Sequence, residues 1–247
     1  MDGIFGWLGD QNEHQELIKQ MGQATRLSSD GGLRAHSSQA MGVAAGSRFG
    51  KAESHVEDGM AAALHGRPRF IDKELASIAR DRSPVAAVAH GWLRHGEKLP
   101  TLMQGNFALA IIDPAKQCAF LALDRIGAER LCFAHRDDHL VFGTSVQSVA
   151  AHPAVGRNID PQAIYDYLYF HTIPAPRSLY RGVHKLLPGQ YATLRDGQLT
   201  TGFYWRADYA PLDADFDTQR RNFRSVLDQA VRDADAPGTA AFLSGGT

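Results

Sequence analysis

Cysteine, net charge and long apolar runs are all scarce in this sequence of 247 residues. It has 2 cysteines, Cys118 and Cys132, both in apolar segments, which indicates buried, reduced thiols rather than a disulfide framework. The 26 Lys and Arg residues against 27 Asp and Glu leave a formal charge of −1, which argues against a general nucleic-acid binder. There is no run of the ~18 apolar residues that a membrane span needs, and no secretory signal. We therefore expect a cytoplasmic protein without nucleic-acid or membrane partners.

The first half of the sequence mixes short strands with short helices. Strands are predicted at three apolar runs, residues 3–9, 41–48 and 60–65. Helices are predicted at about 11–22, at 72–79 and from Pro84 onward. The Ser-, Gly- and Asp-rich residues 27–39 predict a loop.

The second half begins with β-rich runs and ends with a helix and a strand. Because turns join them, four runs predict an antiparallel meander at residues 107–113, 118–124, 131–135 and 140–143. Two helices are predicted next, at 146–150 and from Asp160-Pro161 onward, followed by a hairpin around Asp196-Gly197. The sequence then predicts a helix at 217–234, capped by Asp217, and a strand at 239–243.

The last four residues, Ser244-Gly245-Gly246-Thr247, follow that predicted strand. Glycines in such a turn let backbone N–H groups converge on one point, which is typical of a loop that holds phosphate oxygens. The N-terminus of a following helix would be needed to complete such a site. On these four residues alone, an ordinary turn remains the alternative.

Several motifs occur in the same order as in asparagine synthetases. They are Gly3-Ile4-Phe5-Gly6, Gly105-Asn106-Phe107-Ala108, Asp124-Arg125-Ile126-Gly127, Phe142-Gly143-Thr144-Ser145, and residues 173–177, 182–189 and 242–247. The chain therefore resembles the asparagine synthetase family over essentially its whole length.

That resemblance implies an α+β protein with two parts. Residues 1–208 would form a class II glutamine amidotransferase domain, a four-layer αββα sandwich of the N-terminal-nucleophile (Ntn) hydrolase type that frees ammonia from glutamine. Residues 209–247 would be the truncated start of an α/β synthetase domain that binds ATP and magnesium. Its ATP-binding loop would begin with Leu243, Ser244, Gly245 and Gly246. The family adenylates a small-molecule or peptide carboxylate, and an amine then displaces AMP.

The family's glutaminase nucleophile is a cysteine directly after the initiator Met, but this sequence has Asp2. A carboxylate is a poor nucleophile towards an amide. The arginine that the resemblance assigns to the glutamine carboxylate is missing from the best matching loop, Leu27-Ser28-Ser29-Asp30.

Two further matches lack the family's residues. His65-Gly66-Arg67 stands where the family has Asn-Gly-Glu, and Ser83-Pro84-Val85-Ala86 stands at the acidic entry to a helix. We therefore predict an inactive pocket with Leu27, Asp30, His65, Gly66 and Arg67 as its remnants. Arg125 and Glu129 are interpreted as structural residues of a turn.

The full-length protein would then resemble β-lactam synthetases and lasso-peptide cyclases, which form amide or lactam bonds with a free or internal amine. The present chain is expected to be inactive and to bind neither ATP nor magnesium tightly, and no metal site is predicted. A non-catalytic Ntn-fold scaffold, a glutaminase with an unusual nucleophile and a homodimer stay open. The tail is expected to be poorly ordered, or packed through Phe223, Leu227 and Phe242.

Overall fold

The computed structural model describes residues 2–25, 32–47, 52–136, 139–211, 213–235 and 239–240. Within them the strands are β1 (Gly3–Leu8), β2 (Leu33–Ser37), β3 (Met41–Gly46), β4 (Ala52–Glu57), β5 (Met60–Phe70), β6 (Met103–Asp113), β7 (Cys118–Leu123), β8 (Cys132–Arg136), β9 (His139–Gly143), β10 (His184–Lys185), β11 (Gln190–Arg195) and β12 (Gln198–Phe203). The α-helices are α1 (His14–Gln23), α2 (Lys73–Asp81), α3 (Pro84–His95), α4 (Val146–Ala151), α5 (Pro161–Phe170) and α6 (Phe216–Ala234), and a 3₁₀ helix spans Gly96–Leu102.

The strands form two antiparallel sheets. Sheet A has the order β10-β8-β9-β1-β3-β2, and sheet B has the order β12-β11-β7-β6-β5-β4. The predicted meander is therefore wrong, because β6 and β7 belong to sheet B whereas β8 and β9 belong to sheet A. The turn after β7 carries the chain from one sheet to the other, a change that nearest-neighbour periodicity does not reveal.

Side-chain alternation explains why the sheets stack between helices. On β6, Ala108, Ala110 and Ile112 face sheet A, whereas Phe107, Leu109 and Ile111 pack against the layer of α2 and α3. The outer face of sheet A is covered in the same way, where Leu17, Ile18 and Met21 of α1 pack on Phe5 and Trp7. The layers are thus helix, sheet, sheet and helix, which confirms the predicted αββα architecture.

Two edge strands and one helix start depart from the sequence predictions. β2 lies within residues predicted as a loop, and β4 was not predicted at all. Both are edge strands with few buried side chains, so their sequences lack a strong apolar pattern. The last helix is capped by Asp215, whose side chain accepts the Thr218 N–H, and not by Asp217 as predicted.

Residues 207–247 form a second compact unit, separate from residues 1–206. Its described helix, α6, has Phe223 67% exposed and Leu227 50% exposed. Phe242 and most of the predicted strand at 239–243 lie outside the described residues, so the synthetase start at 209–247 stays a prediction. Among the described residues, none of the helices combines the length and apolarity that a membrane crossing requires.

Both cysteines are buried and unpaired, as predicted. Cys118 is 7% exposed and Cys132 is 1% exposed. Burial raises the pKa of the Cys132 thiol to about 11 and also raises that of Cys118, so both thiols are protonated at neutral pH.

A histidine is buried on the helical side of sheet A. His152 has no exposed surface, and its ring lies 5.7 Å from that of Trp7 and 5.9 Å from that of His139. Its Nδ1 accepts the Ala154 N–H at 3.2 Å. Burial, assisted by His139, lowers the pKa of His152 to about 4.

This burial predicts acid sensitivity. The ordinary pKa of His152 is 6.5 and its folded value is about 4, so the unfolded chain binds a proton more readily. The contribution of neutral His152 to the free energy of unfolding is therefore present above pH 6.5 and is lost as the pH falls towards 4, by about 3 kcal/mol in total.

Urea unfolding across this pH interval measures the loss of stability. His152→Asn, which keeps an acceptor but does not titrate, is expected to flatten the slope, whereas His36→Asn on exposed β2 is not. An unchanged slope in His152→Asn would contradict the assignment.

Candidate functional site

Asp2 lies at the start of β1, a central strand of sheet A. β1 pairs with β3 so that Gly3 faces Gly46, and this register brings Ser47 next to Asp2. The Ser47 hydroxyl donates to Oδ2 of Asp2 at 3.5 Å. The half-buried carboxylate at the position of the expected nucleophile is therefore held by a neighbouring strand end.

Ser47 also connects this end of sheet A to sheet B. Its Oγ accepts the backbone N–H of Ala52 at 3.4 Å, and Ala52 is the cross-strand partner of His65 on β5. Asp2 and His65 thus lie at the same end of the sandwich, one on each sheet. Ser47 and Ala52 lie between these two residues, and the assignment of Asp2 and His65 to one pocket stays a prediction.

His65 is paired with a carboxylate. Its Nδ1 lies 3.0 Å from Oε2 of Glu129, and the two side chains are 12% and 14% exposed. The angle between these atoms does not meet the geometry of a hydrogen bond, so the contact is an ion pair by distance alone. The other oxygen, Oε1, accepts a hydrogen bond from Nδ2 of Asn106 at 2.6 Å. Glu129 therefore positions the imidazole and the amide around one anionic centre.

Gly66 allows β5 and β6 to approach closely at this point. Its φ is +111°, and a Cβ atom there would lie 2.3 Å from the backbone oxygen of Asn106. Only glycine fits both restrictions without strain. Arg67, the next residue, is exposed and is the register partner of Asn106.

The turn after β7 fixes the position of Glu129. Asp124 is fully buried, and its carboxylate accepts the N–H groups of Ile126 at 3.1 Å, Ala128 at 3.0 Å and Glu129 at 2.9 Å. Next to it, Tyr204 donates its hydroxyl to the Leu123 carbonyl at 2.8 Å, and burial raises the pKa of Tyr204 well above its usual range. The phenol stays protonated and serves as a hydrogen-bond donor.

A polar groove of about 950 Å³ adjoins Ser47 and Ala52. Its described lining includes Arg34, Glu53, Arg82 and Ser83. Ser83 caps α3 by accepting the Ala86 N–H at 3.2 Å, and Pro84 follows it at the first turn. The groove can hold a polar ligand, but the acidic residue that the family places at this helix entry is Pro84 here.

Not all predicted site residues can be compared with the structure. Leu27 and Asp30 lie outside the described residues, as do Leu243, Ser244, Gly245 and Gly246. No group of three His, Cys, Asp or Glu side chains arranged for a metal ion occurs among the residues that are described.

Sequence reasoning missed three contributors to this site. Ser47 directly follows a buried strand, which was the available signal for a functional hydroxyl. Glu129, interpreted from the sequence as a structural turn residue, also contacts His65. Asn106 was noted only as part of a strand entry, and its amide bonds the same glutamate.

A family described as a glutamine amidotransferase domain matches residues 72–205, more than half of the chain. The chain belongs to this glutamine amidotransferase family. Among its curated relatives is an asparagine synthetase [glutamine-hydrolyzing] 3 of Bacillus subtilis, 24% identical over 168 residues. Another is asparagine synthetase [glutamine-hydrolyzing] 1 of the same organism, 28% identical over 157 residues. These matches confirm the asparagine synthetase-type resemblance.

The amidotransferase match covers much of this chain and a small part of its relatives. The two alignments cover 66% and 61% of this chain, and 27% and 24% of the relatives. The chain thus spans about a quarter of the length of the curated relatives that it matches.

The amidotransferase fold also recurs in a solved structure, described as the allosteric regulatory enzyme of purine biosynthesis. The two agree with a TM-score of 0.54 at 12% identity, over 83% of this chain and 49% of the other. At this identity the likeness concerns the fold alone, and it agrees with the two stacked sheets described above.

The Asp124 turn makes a testable contribution to stability. Asp124→Asn keeps one acceptor oxygen but turns an amide NH₂ towards a buried N–H donor, so we expect a loss of about 2–4 kcal/mol in the free energy of unfolding. Urea denaturation measures it. Asp113→Asn is the matched control, because Asp113 lies at the end of β6 and its carboxylate bonds Lys116 in the turn that follows. It is expected to cost less than about 1 kcal/mol; equal losses in both variants would refute the role of Asp124.

Proposed function

We propose that this chain is the glutaminase-inactive amidotransferase domain of a protein that forms amide or lactam bonds through an ATP-dependent acyl adenylate. The observation that carries the proposal is Asp2, a carboxylate bonded to Ser47 where the family has its thiol. The inactivity of the glutaminase is argued from the chemistry of this carboxylate.

A carboxylate at this position cannot replace a thiolate. Attack by Asp2 on the amide of glutamine would form an anhydride, which is a more reactive acyl group than the amide from which it came, so the reverse reaction would be favoured. In addition, His65 stands where the family has a neutral amide, and the carboxylate of Glu129 lies 3.0 Å from its ring. A negative charge there opposes the oxyanion that forms during amide hydrolysis.

The second half of the proposal rests on the relatives. Their names join asparagine synthesis to glutamine hydrolysis, and they are about four times as long as the matched segment. In our proposal the full-length protein keeps the ligation step, with ATP and magnesium bound by its synthetase part. It activates a small-molecule or peptide carboxylate and takes a free or internal amine in place of ammonia from glutamine. We propose a cytoplasmic location, which suits the two unpaired thiols.

A second candidate function is that of a non-catalytic binding or scaffolding module. The groove of about 950 Å³ beside Ser47 favours it, because this opening can accept a ligand without any nucleophile. The two candidates differ in whether the full-length protein consumes ATP.

The glutaminase half of the proposal predicts that the purified chain releases no ammonia from glutamine above the buffer background. Asp2→Cys alone is also expected to stay at background, because the variant would still lack the family's substrate-binding side chains. A coupled ammonia assay measures both. Glutamine hydrolysis by the wild type that disappears in Asp2→Ala would contradict the proposal and would identify an unusual nucleophile.

The ligase half predicts carboxylate-dependent exchange of pyrophosphate into ATP by the full-length protein. Because no ammonia from glutamine is required, adding glutamine is expected to leave the exchange rate unchanged. A panel of amino-acid and peptide carboxylates with labelled pyrophosphate tests this. Failure of the whole panel would favour the scaffolding module, and exchange without any carboxylate would point to a different reaction.

A further inference from the structure

Helix α5 exposes large apolar side chains, and of its residues only Ala163 is buried. Four of them are exposed as follows: Ile164 45%, Tyr165 62%, Leu168 71% and Tyr169 69%. Single exposed apolar residues are ordinary, whereas a contiguous group on one surface marks a place where another surface packs.

These four residues lie on one side of the helix. Ile164 stacks one turn before Leu168, and Tyr165 stacks one turn before Tyr169, so the two pairs form a single strip. We name the four residues the α5 stripe. The rings of Tyr165 and Tyr169 are stacked with centroids 6.4 Å apart and planes 9° apart. Because these rings already support each other, little side-chain freedom remains to be lost when another surface covers them.

The opposite side of α5 attaches the helix to its own domain. Ala163 is buried there, and the carboxylate of Asp166 pairs with Nε of Arg177 at 3.1 Å. Arg177 also bonds Asp160, the residue that caps the helix, at 2.9 Å. The helix is thus fixed by its own domain, and the stripe is presented to a partner on a rigid support.

The occupant of the stripe follows from how the domain occurs in larger proteins. The curated relatives are about four times as long as the segment that this chain matches. A surface in the same polypeptide is held near the stripe at an effective concentration of about millimolar when the connection is short. A second copy or a separate protein reaches the stripe only at its own concentration in solution. At equal intrinsic affinity, the attached surface therefore occupies the stripe first.

We propose that the α5 stripe is the surface through which this domain packs against the synthetase part of the full-length protein. This inference rests on the proposed function, which joins the two parts in one polypeptide. The occupant is the portion of the synthetase part that lies outside these 247 residues. The stripe contains no charged side chain, so its burial leaves no ion without a partner.

Hydroxyl-radical footprinting of the full-length protein and of the 247-residue chain tests the proposal, because these radicals modify accessible tyrosine and leucine side chains. We expect the labelling rates of Tyr165, Leu168 and Tyr169 to be about fivefold lower in the full-length protein, since residues in an interface core lose most of their accessible surface. Leu93 on α3 is 59% exposed and is the internal control. Its labelling rate is expected to be the same in both proteins.

Two charge variants of the full-length protein test the stripe directly. Leu168→Glu places a charge in the proposed interface, so we expect Tyr165 and Tyr169 to regain the labelling rates that they have in the 247-residue chain. Leu93→Glu adds the same charge to an apolar surface position on another helix, and both tyrosines are expected to stay protected. Both leucines are largely exposed in the chain, so its thermal unfolding midpoint is expected to stay unchanged in either variant.

Equal labelling of the stripe in the two proteins would overturn the proposal. Protection that disappears on about tenfold dilution would contradict it as well, because dilution separates a second copy but not an attached part. Footprinting requires no reaction, so its result is distinct from that of the pyrophosphate exchange assay. A protected stripe without exchange supports the packing and contradicts the ligase, whereas exchange with a freely labelled stripe contradicts the packing alone.

Discussion

The carboxylate of Asp124 is the interaction on which the arrangement of the two sheets depends. β7 ends at Leu123 in sheet B and β8 begins at Cys132 in sheet A, so the intervening turn must carry the chain between layers. Three backbone N–H groups of that turn point at one buried carboxylate. Their hydrogen bonds satisfy donors that would otherwise be buried without partners, and they hold Glu129 at the rim of the pocket.

The rim of the pocket is formed by residues of β5 and of the Asp124 turn. In the family resemblance an asparagine side chain is needed where His65 lies, and here a turn glutamate comes within 3.0 Å of the imidazole. The surrounding backbone is compatible with the family architecture, including the left-handed Gly66 between β5 and β6. In the proposed function, the backbone of the pocket is retained while the side chains that would perform glutamine hydrolysis are replaced.

Local patterns predicted much of this fold, and long-range pairing accounts for most of the failures. The buried strands β6 and β7 and the capped helix α3 have strong apolar spacing or capping signals, and these elements were predicted. By contrast, β2 and β4 are edge strands whose conformation is stabilised by their neighbours more than by their own side chains.

The assignment of Asp2 and His65 to the family's glutaminase positions stays a prediction from the order of motifs, and the contacts of these residues were not predicted. The contact between His65 and Glu129 joins residues far apart in the sequence, and it exists only because the Asp124 turn folds back over β5 and β6. A single sequence contains no signal for such a contact beyond the type of each residue.

The burial of both thiols has a practical consequence for spectroscopy. Cys118 and Cys132 have raised pKa values and little accessible surface, so the native protein is expected to react very slowly with thiol reagents at neutral pH. One cysteine introduced on an exposed helix would then react far faster than either native thiol. Fluorophores or spin labels could thus be attached at a chosen point without first removing any residue from the core.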